Sequence, residues 1–270
     1  MTNHLHATFA ALRRAGRKAL IPFIMGGDPD LPATADLLLA LEDAGADAIE
    51  VGIPFSDPLA DGPIIQAASA RALKRGATPT NVLAAIASVR DRLRAPVLCL
   101  SYWNLIMQFG ADGRFASDAF VRAARASGLS GIIVPDLPIE EGAALRAPAL
   151  RQGVATVFLA APTSPPQRLR AIARASEGFI YYVSVTGTTG VRRALPSDLV
   201  HGVRQLKLLT TKPVCVGFGI STPRQAATVA RIADGVIIGS ALVQRIASAG
   251  GRRAAVRAAA SFVRQLRRAV

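Results

Sequence analysis

The sequence predicts an α/β fold in which eight parallel strands, each followed by a helix, close into one barrel. Eight short apolar segments recur along the 270 residues, and segments rich in Ala, Leu and Arg with helical periodicity lie between them. Strand–helix repeats require parallel pairing through right-handed crossovers. Eight repeats without a break in the middle favour closure into a barrel, with an open doubly wound sheet as the alternative.

The eight apolar segments are bounded by turn-forming residues. They are ALIPFIM at 19–25, DAIEVG at 47–52, PVLCLS at 96–101, GIIVPD at 131–136, ATVFLA at 155–160, FIYYVS at 179–184, PVCVGFG at 213–219 and DGVIIG at 234–239. A helix near 4–15 is expected to cap the barrel floor, and 77–94 adds one extra helix before the third strand. Pro148 is expected to bend or break the fourth helix. With no linker or low-complexity segment, residues 1–270 are expected to form a single TIM-barrel domain.

The composition excludes several classes of protein. No apolar run approaches the roughly 20 residues that cross a bilayer, and the N-terminus lacks the basic-then-apolar order of a secretory signal. We therefore expect a cytoplasmic protein without membrane contact. Cys99 and Cys215 lie in apolar runs, and no histidine has a Cys, Asp or Glu at ligand spacing. No disulfide framework and no metal site are expected.

The net charge of +14 raises the question of a nucleic-acid partner, because no acidic residue follows Asp234. The arginine-rich tail nevertheless keeps helical spacing of Ala, Val, Phe and Leu, and Phe262 is its one aromatic residue. This pattern favours a solvated helix face over a basic docking patch. No nucleic-acid partner is expected.

The segment EVGIPFSDPLADGP at 50–63 places an acid in a predicted strand. Because side chains alternate along a strand, Ala48, Glu50 and Gly52 should face the barrel interior if Ile49 and Val51 face the helices. Glu50 would then lie at the C-terminal end of its strand, where barrels build their active sites. A desolvated carboxyl group has a raised pKa, which suits proton transfer near neutral pH. A structural pair with an arginine is the alternative.

The loop that follows carries two more carboxyl groups. Prolines at 54, 58 and 63 fix the backbone around Asp57 and Asp61, and a solvated linker has no need of that rigidity. A second carboxylate over the barrel mouth would complete an acid/base pair in two different environments. Loop hydrogen bonding or helix capping is the alternative for Asp57.

Three glycine-rich turns follow the last three predicted strands. They are SVTGTTG at 184–190, GFGISTP at 217–223 and IGSAL at 238–242. Free backbone N–H groups and helix N-termini at such turns can hold a phosphate, although glycine also serves turns for geometric reasons alone. No lysine follows a predicted strand, so no lysine is placed to form an imine with a substrate. The residues therefore predict proton transfer by carboxyl groups on a phosphorylated substrate.

Six motifs together resemble the tryptophan synthase α chain family, in order from about residue 8 to 245. They are FIMGGDPD, EVGIPFSDPLADGP, GIIVPDLPIEE, FIYYVSVTGTTG, GFGIS and IGSALV. The resemblance implies retro-aldol cleavage of indole-3-glycerol phosphate to indole and glyceraldehyde 3-phosphate, without a metal or organic cofactor in this chain. Glu50 matches the proton shuttle, Asp61 the aspartate that holds the indole N–H, and Tyr181 the active-site tyrosine.

The resemblance assigns further positions by match alone. The indole pocket would be lined by Phe23, Leu100 and Ile133, the phosphate would be bound by Gly190, Gly219, Gly239 and Ser240, and loop closure would involve Asp57 and Thr189. The expected partner is a tryptophan synthase β chain carrying pyridoxal phosphate, in an α2β2 heterotetramer. Leu105 departs from the family pattern, where a proline usually follows Asn104. A stand-alone lyase that releases free indole and a weakly catalytic activator of the β chain are the alternatives.

Overall fold

The computed structural model describes residues 3–110, 117–183, 197–217 and 219–270. Its strands form one parallel sheet in the order β5-β4-β3-β2-β1-β9-β8-β7-β6. The strands are β1 Ala19–Met25, β2 Ile49–Gly52, β3 Val97–Leu100, β4 Leu129–Ile133, β5 Ala155–Val157, β6 Leu159–Ala160, β7 Ile180–Val183, β8 Val214–Gly217 and β9 Gly235–Ile238.

The two ends of that strand order are consecutive in the chain. Only Phe158 separates β5 from β6, so these two strands together form the predicted fifth strand, and the sheet closes on itself. The predicted eight-stranded (β/α)8 barrel is confirmed, and the open sheet is excluded.

Helices surround the barrel and cap its floor. They are α1 His4–Arg14, α2 Leu31–Asp43, α3 Pro63–Lys74, α4 Pro79–Ala87, α5 Trp103–Met107, α6 Ser117–Ala126, α7 Ala143–Gln152, α8 Pro166–Ala175, α9 Ser197–Leu209, α10 Pro223–Ala230, α11 Ser240–Ala247 and α12 Arg252–Arg267. The helix α4 is the predicted extra helix before the third strand. The predicted cap is α1, whose Phe9 ring lies 5.4 Å from the ring of Phe179 at the N-terminal end of β7.

The fourth strand begins earlier than the sequence predicts. It spans Leu129–Ile133 rather than 131–136, because Leu129 pairs with Val97 while the apolar run continues into a loop. Pro135 has no backbone N–H, so it could not donate a hydrogen bond to a neighbouring strand. The side chain of Asp136 instead accepts a hydrogen bond from the backbone N–H of Trp103 at the start of α5, at 2.9 Å.

Of the two expectations for Pro148, a bend or a break, the break is not observed, since α7 continues through this residue. A proline in a helix removes the N–H that would bond to the carbonyl four residues earlier. That carbonyl, on Ala144, accepts a hydrogen bond from the Ser117 hydroxyl at 3.1 Å. A side chain of α6 thus replaces the missing backbone donor.

The basic C-terminal segment is a docked helix. The inner face of α12 is buried, and its ends are held by ion pairs of Arg252 with Asp36 at 2.7 Å and of Arg267 with Asp47 at 2.6 Å. The guanidinium of Arg245 on α11 lies 3.7 Å from the ring centroid of Phe262. Within the described ranges, none of the helices combines the length and the apolar character needed to cross a membrane.

Candidate active site

Glu50 lies inside the barrel on β2, as strand alternation predicts. Its neighbours Ile49 and Val51 belong to the layer between strands and helices, whereas Ala48 belongs to the interior cluster. The Glu50 side chain is 1% exposed, and neither carboxyl oxygen has a hydrogen-bond partner among the described residues. In that part of the chain it also forms no ion pair, so the structural pair with an arginine is not observed.

Burial, and to a smaller extent the negative charge of Asp61, together raise the pKa of Glu50 to about 8. A carboxyl group loses favourable hydration when it is buried, and a second carboxylate nearby opposes its ionisation. At neutral pH the Glu50 side chain is therefore mostly the neutral acid, which can donate a proton.

Asp61 belongs to loop 2, which we define as residues 53–62 between β2 and α3. Burial raises its pKa to about 6, and a hydrogen bond from the Tyr102 hydroxyl opposes that shift. Asp61 is therefore mostly ionised at neutral pH. The two carboxyl groups are held in different protonation states by one drier and one wetter environment, as an acid/base pair requires.

Tyr102 is a site residue that the sequence reasoning missed. It lies two residues after the end of β3, is 3% exposed, and its hydroxyl oxygen accepts a hydrogen bond from the backbone N–H of Ala60 at 3.0 Å. The ring centroid of Phe55 lies 5.2 Å from that of Tyr102. The available signal was its position, since a tyrosine shortly after a barrel strand lies at the same end as Glu50.

Tyr181 projects from β7 into the barrel interior and is 6% exposed. Burial raises its pKa well above the ordinary value, and the charges of Glu50 and Asp61 add to this. The phenol therefore lies within electrostatic reach of both carboxyl groups. Space for it comes from Gly217 on β8, where an added Cβ would lie 2.5 Å from the Tyr181 hydroxyl oxygen.

Strands β1, β3 and β4 supply an apolar wall on the two sides of Glu50. Phe23 on β1 pairs with Glu50 in register, while Leu100 on β3 pairs with Ile133 on β4. Ile133 is fully buried in the interior cluster, and Leu100 is partly exposed. An added Cβ on Gly52 would lie 2.6 Å from the Phe23 ring, so the absence of a side chain at Gly52 provides the space that the ring occupies.

The two described glycine turns differ at the helices they lead into. Downstream of Gly219, the start of α10 is capped by its own side chains, because Thr222 Oγ1 accepts the N–H of Gln225 and Gln225 Oε1 accepts the N–H of Thr222. At Gly239 and Ser240, the start of α11 has no side-chain cap. The first N–H groups of a helix have no partner inside it, so the α11 turn is the better anion site.

The remaining predicted residues lie on the loops. Asp57 is exposed in loop 2, and its carboxylate accepts a hydrogen bond from the Ser56 hydroxyl. Gly190 and Thr189 lie outside the described residues, as does the rest of the predicted glycine-rich lid. Within the described part of the chain there is no group of three or more His, Cys, Asp or Glu side chains able to hold a metal.

The fold and these residues define a (β/α)8 barrel with two buried or partly buried carboxyl groups of different pKa at one end of its strands. The tryptophan synthase alpha chain family model matches residues 9–270. The chain therefore belongs to the tryptophan synthase alpha chain family.

Individual relatives and solved structures agree with the family model. The tryptophan synthase alpha chain of Gloeobacter violaceus is 52% identical over 262 residues, covering 97% of this chain and 92% of that protein. That of Synechocystis is 45% identical over 269 residues, covering 99% of each. The crystal structure of tryptophan synthase subunit alpha from Legionella pneumophila superposes with a TM-score of 0.90 at 34% identity, covering 100% of this chain and 98% of that chain.

Proposed function

We propose that this chain cleaves indole-3-glycerol phosphate to indole and glyceraldehyde 3-phosphate, as the α subunit of tryptophan synthase in the last steps of tryptophan biosynthesis. The observation that carries the proposal is the buried Glu50, whose two carboxyl oxygens lack hydrogen-bond partners among the described residues and whose pKa depends on Asp61. An isolated carboxyl group is costly to bury, so its retention at the active end of the barrel supports a chemical role.

Glu50 is proposed to donate one proton to the substrate and then to take up another from it. Its neutral form donates a proton to C3 of the indole ring, which makes the ring an electron acceptor. The resulting carboxylate then takes the proton of the hydroxyl group on the carbon attached to C3. That carbon becomes the aldehyde carbon as the carbon–carbon bond breaks, its electrons return to the ring, and Glu50 is neutral again. A resting pKa of about 8 supports this starting state.

Asp61 is proposed to bind the indole N–H as a carboxylate. Protonation at C3 places positive charge on the ring nitrogen, and an ionised Asp61 stabilises that charge more than it stabilises the neutral ring. Its pKa of about 6 keeps it ionised at neutral pH. Tyr181 is proposed to contact the substrate beside both carboxyl groups.

The rest of the substrate is proposed to lie between the apolar wall and the glycine turns. Phe23, Leu100 and Ile133 would hold the indole ring, whereas Gly239 and Ser240 at the start of α11, together with Gly219, would bind the phosphate. The uncapped helix start at α11 supports this orientation. Gly190 is proposed to complete the phosphate site.

A β chain containing pyridoxal phosphate is the proposed partner, in a cytoplasmic α2β2 heterotetramer, and this chain is proposed to need no cofactor of its own. The tip of loop 2 supports a partner contact, because Leu59 is 93% exposed beside the exposed Asp57. An apolar side chain held out on a proline-rich loop suits burial in an interface. Asp57 and Thr189 are proposed to couple loop closure to that contact.

The test is release of indole from indole-3-glycerol phosphate by the purified chain, with and without the β chain from the same source. Slow release that rises strongly with the β chain is expected. Fast release without a partner would instead establish a stand-alone lyase. No release in either condition would contradict the proposed reaction.

A further inference from the structure

Ser69 on α3 fixes the start of loop 2 through two hydrogen bonds of its hydroxyl group, one accepted and one donated. The side chain is 1% exposed. Its oxygen accepts a hydrogen bond from the backbone N–H of Phe55 at 2.7 Å and donates one to the carbonyl oxygen of the same residue at 2.8 Å. One hydroxyl group thus satisfies both backbone groups of Phe55 and fixes that residue against the helix.

Phe55 in turn meets the tyrosine that holds the end of loop 2. Its ring lies 5.2 Å from the Tyr102 ring, with an angle of 31° between the ring planes. The Tyr102 hydroxyl accepts the N–H of Ala60 at 3.0 Å and donates to the Asp61 carboxylate. A contiguous series of contacts therefore runs from Ser69 through Phe55 and Tyr102 to Asp61.

Three of the four residues between the two fixed points are exposed, namely Ser56, Asp57 and Leu59. The loop can therefore move at its tip while its ends stay in place. A displacement of Phe55 would remove the ring that packs beside Tyr102, and the Tyr102 hydroxyl would lose its defined direction towards Asp61.

We propose that Ser69 is a positioning residue for Asp61, acting through Phe55 and Tyr102 rather than by contact with the substrate. The expected effect of Ser69 on catalysis rests on the proposed function, whereas its expected effect on the pKa of Asp61 does not. The hydrogen bonds of Ser69 to the described part of loop 2 go to the Phe55 backbone, several residues before Asp61.

Ser176 provides a matched control. It is also a fully buried serine whose hydroxyl accepts the backbone N–H of a phenylalanine, here Phe158 at 3.1 Å. Phe158 lies between β5 and β6, away from loop 2. A Ser176→Ala variant therefore removes a similar hydrogen bond without touching the series of contacts that ends at Asp61.

The first measurement is the titration of Asp61 by NMR in the full-length, substrate-free chain labelled with ¹³C-aspartate, with Asp61→Asn identifying the signal. The described charged and titratable groups that act on Asp61 are Glu50, Tyr102 and Tyr181. In Ser69→Ala the pKa of Asp61 should rise from about 6 towards about 7, because the hydrogen bond from Tyr102 that lowers it is weakened. Ser176→Ala should leave it unchanged. An unchanged Asp61 titration in Ser69→Ala would overturn the proposal.

A double-mutant cycle tests the route through Tyr102. In a Tyr102→Phe background the hydroxyl is already absent, so adding Ser69→Ala should cause little further rise in the pKa of Asp61. An equal rise in both backgrounds would mean that Ser69 does not act through Tyr102. If Ser69→Ala does not fold, Ser69→Cys keeps the size of the side chain with a weaker donor and takes its place.

Kinetics separate positioning from general loosening of the fold. Ser69→Ala should lower kcat about 10-fold with KM nearly unchanged, since a misplaced catalytic group affects the transition state more than binding. Ser176→Ala should lower stability but keep kcat. Equal loss of kcat in the two variants would refute the positioning role. If the wild-type chain releases no indole, the proposed function fails, and the NMR titration still decides the role of Ser69.

Discussion

The negative charge of Asp61 on loop 2 raises the pKa of Glu50 on β2, in addition to the effect of burial. Together with burial, this charge keeps Glu50 mostly protonated up to a pH of about 8, which is above the pH of about 6 at which Asp61 ionises. Between about 6 and about 8 the two groups therefore hold the protonation states that the proposed mechanism requires.

We expect kcat/KM to follow a bell-shaped pH profile. Activity should fall as the pH decreases through about 6, where Asp61 gains its proton, and should fall as the pH rises through about 8, where Glu50 loses its own. Steady-state rates of indole release from pH 5 to pH 9 test this. The substrate phosphate also titrates near about 6, so an acid limb that persists in Asp61→Asn belongs to the substrate.

Replacing Asp61 with Asn should lower the rate by about 100-fold or more, because the charge that stabilises the protonated indole ring is lost. The same change should lower the pKa of Glu50, since the charge of Asp61 is one of the two causes of its raised value. The basic limb of the remaining activity should move to lower pH. A rate close to that of the wild type would make Asp61 a structural residue of the loop.

Glu50→Gln should abolish cleavage and should also stabilise the fold at alkaline pH. The pKa of Glu50 is raised from 4.5 to about 8, so folding favours the protonated form, and the carboxyl group increasingly destabilises the native state as the pH rises from 4.5 to 8. Urea unfolding should show Glu50→Gln more stable than the wild type by on the order of 3 kcal/mol at pH 8, with the difference nearly gone at pH 4. A constant difference across this range would contradict the raised pKa.

Gly217→Ala should displace Tyr181. The added Cβ would lie 2.5 Å from the phenol oxygen, which is closer than atoms of these types approach. We expect kcat to fall by roughly 10-fold or more with a loss of stability of about 1–3 kcal/mol. Gly250→Ala, where an added Cβ meets nothing within 4 Å, is the control and should be nearly neutral.

The Ser117 hydroxyl should matter only because Pro148 lacks an N–H. Ser117→Ala leaves the Ala144 carbonyl without its donor and should destabilise the fold by about 1–2 kcal/mol in denaturant unfolding. In a Pro148→Ala background the helix supplies its own donor, and the same Ser117→Ala substitution should cost clearly less. Equal costs in both backgrounds would show that the two residues are independent.

Features that depend on local periodicity could be predicted from the sequence. The eight-strand order and the inward direction of Glu50 follow from apolar segments and from alternation along one strand. The start of β4 could not be predicted in this way, because it is set by pairing of Leu129 with Val97 on another strand. The continuation of α7 through Pro148 likewise depends on a serine of a neighbouring helix.

The site was predictable where a residue acts from its own strand and not where two loops meet. Glu50 lies inside the barrel as alternation along its strand predicts, and Tyr181, which the resemblance assigns, also projects into the barrel interior. The contact of Tyr102 with loop 2 joins segments about 40 residues apart in sequence, and the side-chain cap of α10 makes the turn at Gly219 differ from the turn at Gly239. Neither relationship can be recognised from a short segment of the sequence.

The closure of the sheet at Phe158 has a consequence for the chain in the absence of a partner. The Phe158 N–H donates to the Ser176 hydroxyl, and its carbonyl accepts the N–H of Tyr181. Both backbone groups of the residue between β5 and β6 are therefore hydrogen-bonded. The described sheet offers no row of unpaired backbone groups to a strand from another molecule. Pairing of two copies of this chain along their sheet edges therefore finds no open edge in the described strands.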